Sequence, residues 1–567
     1  MSRAFGLVLL LSGLLKVALA LHFADLTPRY DEVEFLDLGR RMAEGAAPHP
    51  FRAPGYQTFV SIGLRLASGD PVGVRVLQAL LSTLTCFLAY RTARRLFGER
   101  AAVAAGSFLA FYPSLVAYSH LLWAETLFLT FSIGAFDRLL AADERSCPKT
   151  AAFAGLLLGV GALVRSMALP LAAATLVWWM LRDSRRLALG LAFSAGIVLP
   201  VLPWSLWSSA QAGRPVLVDT NGGYNLFSGN NEWIPPGLPG IWSLGLALQN
   251  GTEEARASWL TQGGVNPRLA LLRPEGEWRF DVMARLRDAG IDDASSLAAE
   301  DWYASRARED IARDPLGALR RIPLKLASWW APDFFLPRHL LRDWYGPVAP
   351  GVAVLLVIGT WLAAAVPLLL GPASLIALPS SRFRSLSFAW LGMAAALHVV
   401  SFGVSRMHLP YVPLLVTAVF AYGFDREDVL SAARWWRRGG PVLALAIAAW
   451  IVSAPAVAGV YVCPGPRHVG AARWLGAVGE TPLPASRHAA WMRAEVVAAA
   501  GDPAAASRML RESRHAEEAW SLVLRATFGT DPEERRALME RAVAADPRLR
   551  IWIPRMIGVP PMTGDTP

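Results

Sequence analysis

The chain has 567 residues, of which 54% are hydrophobic and 18% charged, and its mean hydropathy is +0.35. That is too apolar for an ordinary soluble protein and too charged for a bare transmembrane bundle, so the composition describes a polytopic membrane protein with sizeable aqueous segments. The net charge of +10 comes with no recognisable nucleic-acid-binding motif, which argues against nucleic acid and points to arginines held in cytoplasmic loops.

Taken in chain order, membrane-length apolar segments fall near 4–22, 72–90, 101–119, 121–140, 151–164, 167–181, 187–207, 347–370, 385–403, 409–424 and 441–461. The segments 151–164 and 167–181 are short and meet at Arg165. Threaded as eleven spans, the arginine-rich stretches 91–100, 137–149, 182–186, 381–384 and 425–440 share one side, which the positive-inside rule makes cytoplasmic. The N-terminus is then cytoplasmic, and the loops 23–71 and 208–346 and the tail 462–567 are extracytoplasmic. Residues 1–20 also read as a cleavable signal peptide. A retained helix is preferred because many spans follow and Lys16 is placed to snorkel to the outer interface.

After the first span, "YDEVEFLDLGRRMAEG" (30–45) predicts a charged juxtamembrane helix opening at Asp31 and Glu32. An acid at that position serves as an N-cap or as a catalytic group. The stretch 219–240 is rich in Gly, Asn and Pro and predicts irregular structure. Residues 299–330 predict an amphipathic helix broken at Asp314-Pro315, then a second helix at the membrane surface. The tail alternates Ala-rich helical segments with Gly-Asp-Pro and Thr-Asp-Pro breaks, similar to tetratricopeptide pairs without their strict consensus. It predicts a docking surface for a protein partner or a packing cap.

The fold expected is therefore an all-α polytopic membrane protein: a membrane domain over 1–461 with outer-face juxtamembrane helices, and an extracytoplasmic helical domain over 462–567. Cys86, Cys147 and Cys463 are scattered, which argues against a disulfide framework. No nucleotide-phosphate loop and no metal-ligand spacing is present in the sequence. Glu125, a carboxylate opening an apolar helix, predicts either an active-site wall or a buried ion pair with an arginine. Asn250-Gly251-Thr252 is a formal glycosylation sequon.

Four elements occur in an order and spacing that resembles the C-type glycosyltransferase superfamily. The similarity is greatest to the branch holding the protein O-mannosyltransferases and the bacterial aminoarabinose transferase. They are "YDEVEFLDLGRRMAEG" in the first outer loop, "FRAPGYQTFV" (51–60), "WAETLFLTF" (123–131) and "GVGALVRSMALPLA" (159–172). "TNGGYNLFSGNNEW" (220–233) and "VSRMHLPYVPLL" (404–415) are similar to further elements of bacterial members. The sequence departs from the family pattern at Phe35, Ala53 and Met407-His408.

The resemblance implies transfer of a sugar from a polyprenyl-phosphate donor to a protein, lipid or polysaccharide acceptor, with inversion, in a bacterial cytoplasmic (inner) membrane. It implies Asp31 as general base with Glu32 as its understudy, since adjacent helical residues point about 100° apart. Arg52, Arg165 and Arg406 would bind the donor phosphate, as the guanidinium fork suits phosphate oxygens. Glu125, His408 and Tyr56 would line the cavity, and Asn221, Asn230 and Asn231 would shape an acceptor-side loop. Several have a plainer alternative: snorkelling for Arg165 and Arg406, a hydrogen-bonded structural histidine for His408, and turn formation for the asparagines. No cofactor is expected, with a divalent cation left open. The competing class is a non-catalytic lipid-linked-sugar transporter or envelope-assembly scaffold. A transporter should carry ionisable residues deep in several helices, whereas here they gather at the outer ends, Lys16 and His398 being the main exceptions.

Overall fold

The structure is a computed structural model that describes residues 2–28, 31–182, 186–231, 282–341, 344–346, 348–424, 429–461, 494, 503–513, 516–517, 519–528 and 531–545. Among the described residues every regular element is a helix. Helix α1 (Arg3–His22) starts at Ser2, whose hydroxyl accepts from Phe5 N at 3.2 Å. It is followed by α2 (Asp31–Ala43), α3 (Pro54–Leu66), α4 (Val72–Ala110), α5 (Pro113–Tyr118), α6 (Glu125–Arg145), α7 (Pro148–Val164), α8 (Ala168–Arg182) and α9 (Leu187–Ala212). Contacts divide the chain into two units. The first comprises 1–224, 358–400 and 404–450; the second comprises 225–357, 401–403 and 451–567.

Among the described residues, six helices are long and apolar enough to cross a membrane: Arg3–His22, Val72–Ala110, Leu187–Ala212, Pro350–Ala377, Arg382–Val400 and Ser405–Phe424. The reading as a multi-pass membrane protein stands, while the expected eleven spans are not all met by that measure. Part of the difference has a physical cause. The segments expected at 72–90 and 101–119 enter one element, α4, which reverses at Gly98 with φ at 82°. Tyr90 and Gly106 face each other across that turn, since a Cβ on Gly106 would sit 3.1 Å from the Tyr90 Cβ. Helices α7 and α8 are apolar, but at 17 and 15 residues each is shorter than a full crossing. The segment expected at 121–140 lies in α6, which carries Glu125, Asp137, Arg138, Asp143, Glu144 and Arg145.

Close approach of backbones organises the first unit. Helix α1 packs on both arms of α4: Phe5 stacks on Tyr90 with ring centroids 4.0 Å apart, and Ser12 donates to Ala110 O at 2.6 Å. Lys16 does not snorkel. It is fully buried, with its ammonium 3.5 Å from Cys86 Sγ, because its position on α1 faces α4. Helices α7 and α9 meet through small residues: a Cβ on Gly155 would lie 2.0 Å from Phe193 O, and one on Gly196 would lie 2.0 Å from Ala152 O. A Gly155→Leu substitution therefore forces the two backbones apart, and overpacking of this kind costs about 1–3 kcal/mol or more. The expected result is a lower unfolding temperature by differential scanning fluorimetry, with Gly359→Ala as the control, because a Cβ there meets nothing within 4 Å.

In the second unit, the break expected at Asp314-Pro315 separates helices Leu297–Arg313 and Pro315–Trp330, and Asp314 Oδ1 caps the second by accepting from Gly317 N at 2.8 Å. The stretch 222–229, expected to be irregular, is instead the helix Gly222–Gly229, of which residues 225–229 belong to this unit. Its Phe227 is fully buried against the rings of Trp302 and Tyr303, and that burial outweighs the Gly and Asn turn preference. In the tail, helices Ala519–Phe528 and Pro532–Ala545 pack through Leu522, Val523, Ala526, Leu538, Met539 and Ala542. The helices Pro503–Glu512 and Pro532–Ala545 begin at the prolines of the two Asp-Pro breaks. The sequon at Asn250 lies outside the described residues.

Candidate active site

The first unit draws together charged residues that are far apart in sequence. Asp31 opens α2, Arg52 lies in the loop before α3, Glu125 opens α6, Arg165 is the extended residue between α7 and α8, and Arg406 lies in the short 3-10 helix Ser405–Tyr411. Arg406 Nη2 donates to Asp31 Oδ2 at 2.5 Å, and its Nε lies 3.4 Å from Glu125 Oε1. Arg165 Nη2 donates to the same Glu125 oxygen at 2.8 Å. Glu125 thus joins two arginines, and of its two expected roles the buried ion pair is the one the geometry displays. Its side chain is 1% exposed, whereas Asp31 keeps 29% of its side-chain surface open. The position of Glu125 in the first turn of α6 also sets it near the positive end of the helix dipole.

Arg52 forms a two-pronged pair with Glu34, Nε to Oε1 at 2.8 Å and Nη2 to Oε2 at 2.7 Å. Its guanidinium also lies over Phe35 and Phe51, at 5.7 and 5.3 Å from the ring centroids. The loop carrying it is held by the buried Gln57, whose Nε2 donates to His49 O at 2.9 Å and Arg52 O at 3.1 Å while its Oε1 accepts from His49 N at 3.0 Å. Gly55 lets this loop approach the end of α7, because a Cβ there would sit 2.7 Å from Leu163 O, two residues before Arg165. On the other side, α4 grips the turn leading to Trp123 and Glu125. Gln78 Nε2 donates to Leu121 O at 2.6 Å, and Arg75 donates to His120 O and, at 3.0 Å, to Leu26 O. The Arg406 guanidinium lies 5.2 Å above the Trp123 ring.

The expected residues are not all brought into this cluster. Glu32 is 1% exposed and turned from Asp31 into the protein, where its Oε1 accepts from Leu122 N at 2.7 Å. That geometry makes Glu32 an anchor of α2 on the turn before α6. Tyr56 is fully buried behind α2, donating to Gln78 Oε1 at 2.5 Å with its ring edge-on to Phe35. His408 is buried in the same 3-10 helix as Arg406. Asn221 is buried in the first unit. Asn230 and Asn231 belong to the second unit, where Asn230 Oδ1 accepts from Lys325 Nζ at 2.7 Å and Asn231 Nδ2 donates to Phe227 O at 2.8 Å.

Sequence reasoning missed Glu34, Asp219 and Tyr224. Glu34 lies in a run of charges that sequence alone does not tell from a solvated helix face, but its bidentate pair with Arg52 is specific. Asp219 and Tyr224 sit in or beside the quoted element 220–233, and that proximity was the signal available. Thr220 N donates to Pro50 O at 3.1 Å and the Tyr224 ring lies edge-on to Phe51 at 5.9 Å, so this segment docks on the Arg52 loop. In the second unit, Lys325 is fully buried, and that burial, with Arg321 nearby, pulls its ammonium down to about 8.

Electrostatics follow from the packing. Burial raises the Asp31 carboxyl, but Arg406, Arg52 and Arg165 together outweigh it and hold the group at about 2. Burial alone would lower Arg52, yet Glu34 and Asp31 raise it above its ordinary value. Burial pushes Tyr224 up to about 12, and it raises Asp219 against the opposing pull of Ser166 and Arg52. At neutral pH the cluster therefore holds ionised Asp31 among arginines whose charge is permanent. Among the described residues, no group of three or more His, Cys, Asp or Glu side chains is arranged to hold a metal ion.

Comparison with known proteins agrees with the sequence resemblance over part of the chain. The family model described as "Dolichyl-phosphate-mannose-protein mannosyltransferase" matches residues 49–207, a stretch that includes Arg52, Glu125 and Arg165. No curated protein matches the chain. Among solved structures, ArnT from Cupriavidus metallidurans bound to undecaprenyl phosphate aligns with 13% identity and a TM-score of 0.38, over 98% of this chain and 78% of that one. AglB from Archaeoglobus fulgidus, an archaeal oligosaccharyltransferase in complex with an inhibitory peptide and a dolichol-phosphate, aligns with 14% identity and a TM-score of 0.37, over 89% of this chain and 59% of that one.

Proposed function

We propose that this membrane protein transfers a sugar from a polyprenyl-phosphate donor to an extracytoplasmic acceptor, with inversion at the anomeric carbon. The observation that carries the reading is the meeting of Asp31 with Arg406 beside Arg165 and Arg52, four charged residues drawn from separate parts of the chain. The lipid-phosphate donor class is also the one named in the description of the family model.

In this reading Asp31 accepts the proton of the acceptor hydroxyl or amine as the acceptor attacks the anomeric carbon. The bond from that carbon to the phosphate oxygen breaks, and its electron pair leaves with the polyprenyl phosphate. The leaving group gains one negative charge, which Arg52, Arg165 and Arg406 are placed to offset. All three guanidinium groups already face carboxylates, so a bound phosphate competes with Glu34, Glu125 and Asp31 for them. When phosphate draws Arg406 away from Asp31, the carboxylate becomes a stronger base. The donor thereby readies the residue that takes the acceptor's proton. The acceptor can be protein, lipid or polysaccharide. The C-terminal helical region, on the same extracytoplasmic side in this reading, offers a docking surface for a protein partner.

The test is release of label from a panel of radiolabelled polyprenyl-phosphate sugars by the purified protein, with a mixed cell-envelope extract as acceptor. Release from at least one donor is expected. Binding without release from any donor would replace this reading with that of a carrier or scaffold.

A further inference from the structure

Helices α8 and Arg382–Val400 pack side by side in the first unit, joined at depth by Trp390 Nε1 donating to Thr175 Oγ1 at 3.0 Å. Beside that contact they leave an open apolar groove of about 560 Å³, lined by Ala174, Val177, Phe388, Ala389 and Met393, with Arg182 at one end. Such a volume suits a small lipid chain rather than scattered water. Both helices are apolar enough to face a bilayer, and Val177 and Phe388 are exposed along the groove.

The Arg182 end carries polar groups. Trp178 Nε1 and Arg182 Nη1 both donate to Ser385 Oγ, at 2.9 and 3.3 Å, and the Arg182 guanidinium lies 5.2 Å over the Trp178 ring. In sequence, 182–186 and 381–384 together carry five arginines and one aspartate. Arg186 and Arg382 are paired with the buried Asp143, so Arg182 is the guanidinium that lines the groove, and an apolar slot ending at that cation has the chemistry of an acyl chain beneath an anionic headgroup.

Position separates this groove from the candidate active site. Helix α8 begins three residues after Arg165 and ends at Arg182, so its 15 residues carry the chain about 22 Å from one end to the other at ~1.5 Å per residue. A donor whose phosphate sits at Arg165 would have to place a second anion at the far end to satisfy Arg182. We infer that the groove between α8 and Arg382–Val400 binds an anionic phospholipid of the leaflet opposite the candidate active site, its acyl chain along Val177 and Phe388 and its phosphate at Arg182.

The experiment compares the full chain with Arg182→Gln, which removes the headgroup charge, and Ala389→Trp, which fills the slot. Each is placed in nanodiscs of phosphatidylcholine alone or with phosphatidylglycerol. Native mass spectrometry then reads the lipid retained after transfer to detergent, and fluorimetry reads the unfolding temperature. The wild type is expected to retain one phosphatidylglycerol and to unfold at higher temperature when that lipid is present. Each variant should lose at least about fivefold in retention, and also the lipid-dependent shift, while matching the wild type in phosphatidylcholine. Equal retention of both lipids by the wild type would overturn the inference. So would undiminished phosphatidylglycerol binding by both variants, or loss of bound polyprenyl phosphate in its place.

Discussion

Asp31→Asn is expected to lower sugar transfer by about 10²–10⁴-fold, the range over which a positioned general base contributes. The substitution keeps the shape of the side chain and its place at the start of α2, so donor binding should survive. The measurement is single-turnover release of labelled sugar beside a donor-binding isotherm. Unchanged turnover in the variant would remove Asp31 from the chemistry. Glu32→Gln makes the informative contrast. Glu32 holds Leu122 N inside the protein, so its loss should appear chiefly as a lower unfolding temperature. If Glu32→Gln instead abolished transfer in a stably folded protein, the roles of the two acids would be reversed.

The second large effect belongs to Arg406. Replacing it with Gln removes a partner from both Asp31 and Glu125 and leaves Glu125 buried with Arg165 as its remaining described ion pair. Breaking a buried pair from one side costs roughly 3–5 kcal/mol, so a reduced unfolding temperature is expected along with the loss of transfer. The pH dependence carries a further sign. Asp31 is depressed in the folded protein, so its ion pair stabilises the fold fully above the unfolded carboxylate range. That contribution is lost as pH falls toward about 2. With Arg406 gone, the leading cause of that depression is gone too, and the Asp31 titration moves up. Measured from pH 3 to 8, the acid limb of donor cleavage should therefore lie below the range in the wild type and move up into it in the residual activity of Arg406→Gln. An unmoved limb would mean that Asp31 does not govern it.

Much of the architecture was legible from local signals. The helical class follows from periodicity and apolar length, the break at Asp314-Pro315 from proline chemistry, and the membrane reading from hydropathy. The order of short elements, each weak alone, pointed to Asp31, Arg52, Glu125, Arg165 and Arg406, and residues 49–207 match a family model of the same kind. These features were available because each depends on residues close together in the chain.

What the sequence did not disclose depends on which side chains converge. Asp31 and Glu32 are neighbours with the same charge, and only packing of α2 against the turn before α6 turns one inward and leaves the other partly open. Lys16 resembles a snorkelling residue until α4 covers it. Two expected spans become arms of one element because Gly98 adopts a positive φ. Glu34 and Arg52 are 18 residues apart and Asp31 and Arg406 are 375 apart, yet both pairs form direct ion contacts. Sequence determined which charges and apolar faces were present. Tertiary packing decided which charges met, because an ion pair depends on distance and desolvation, and both are set by helices that lie far apart along the chain.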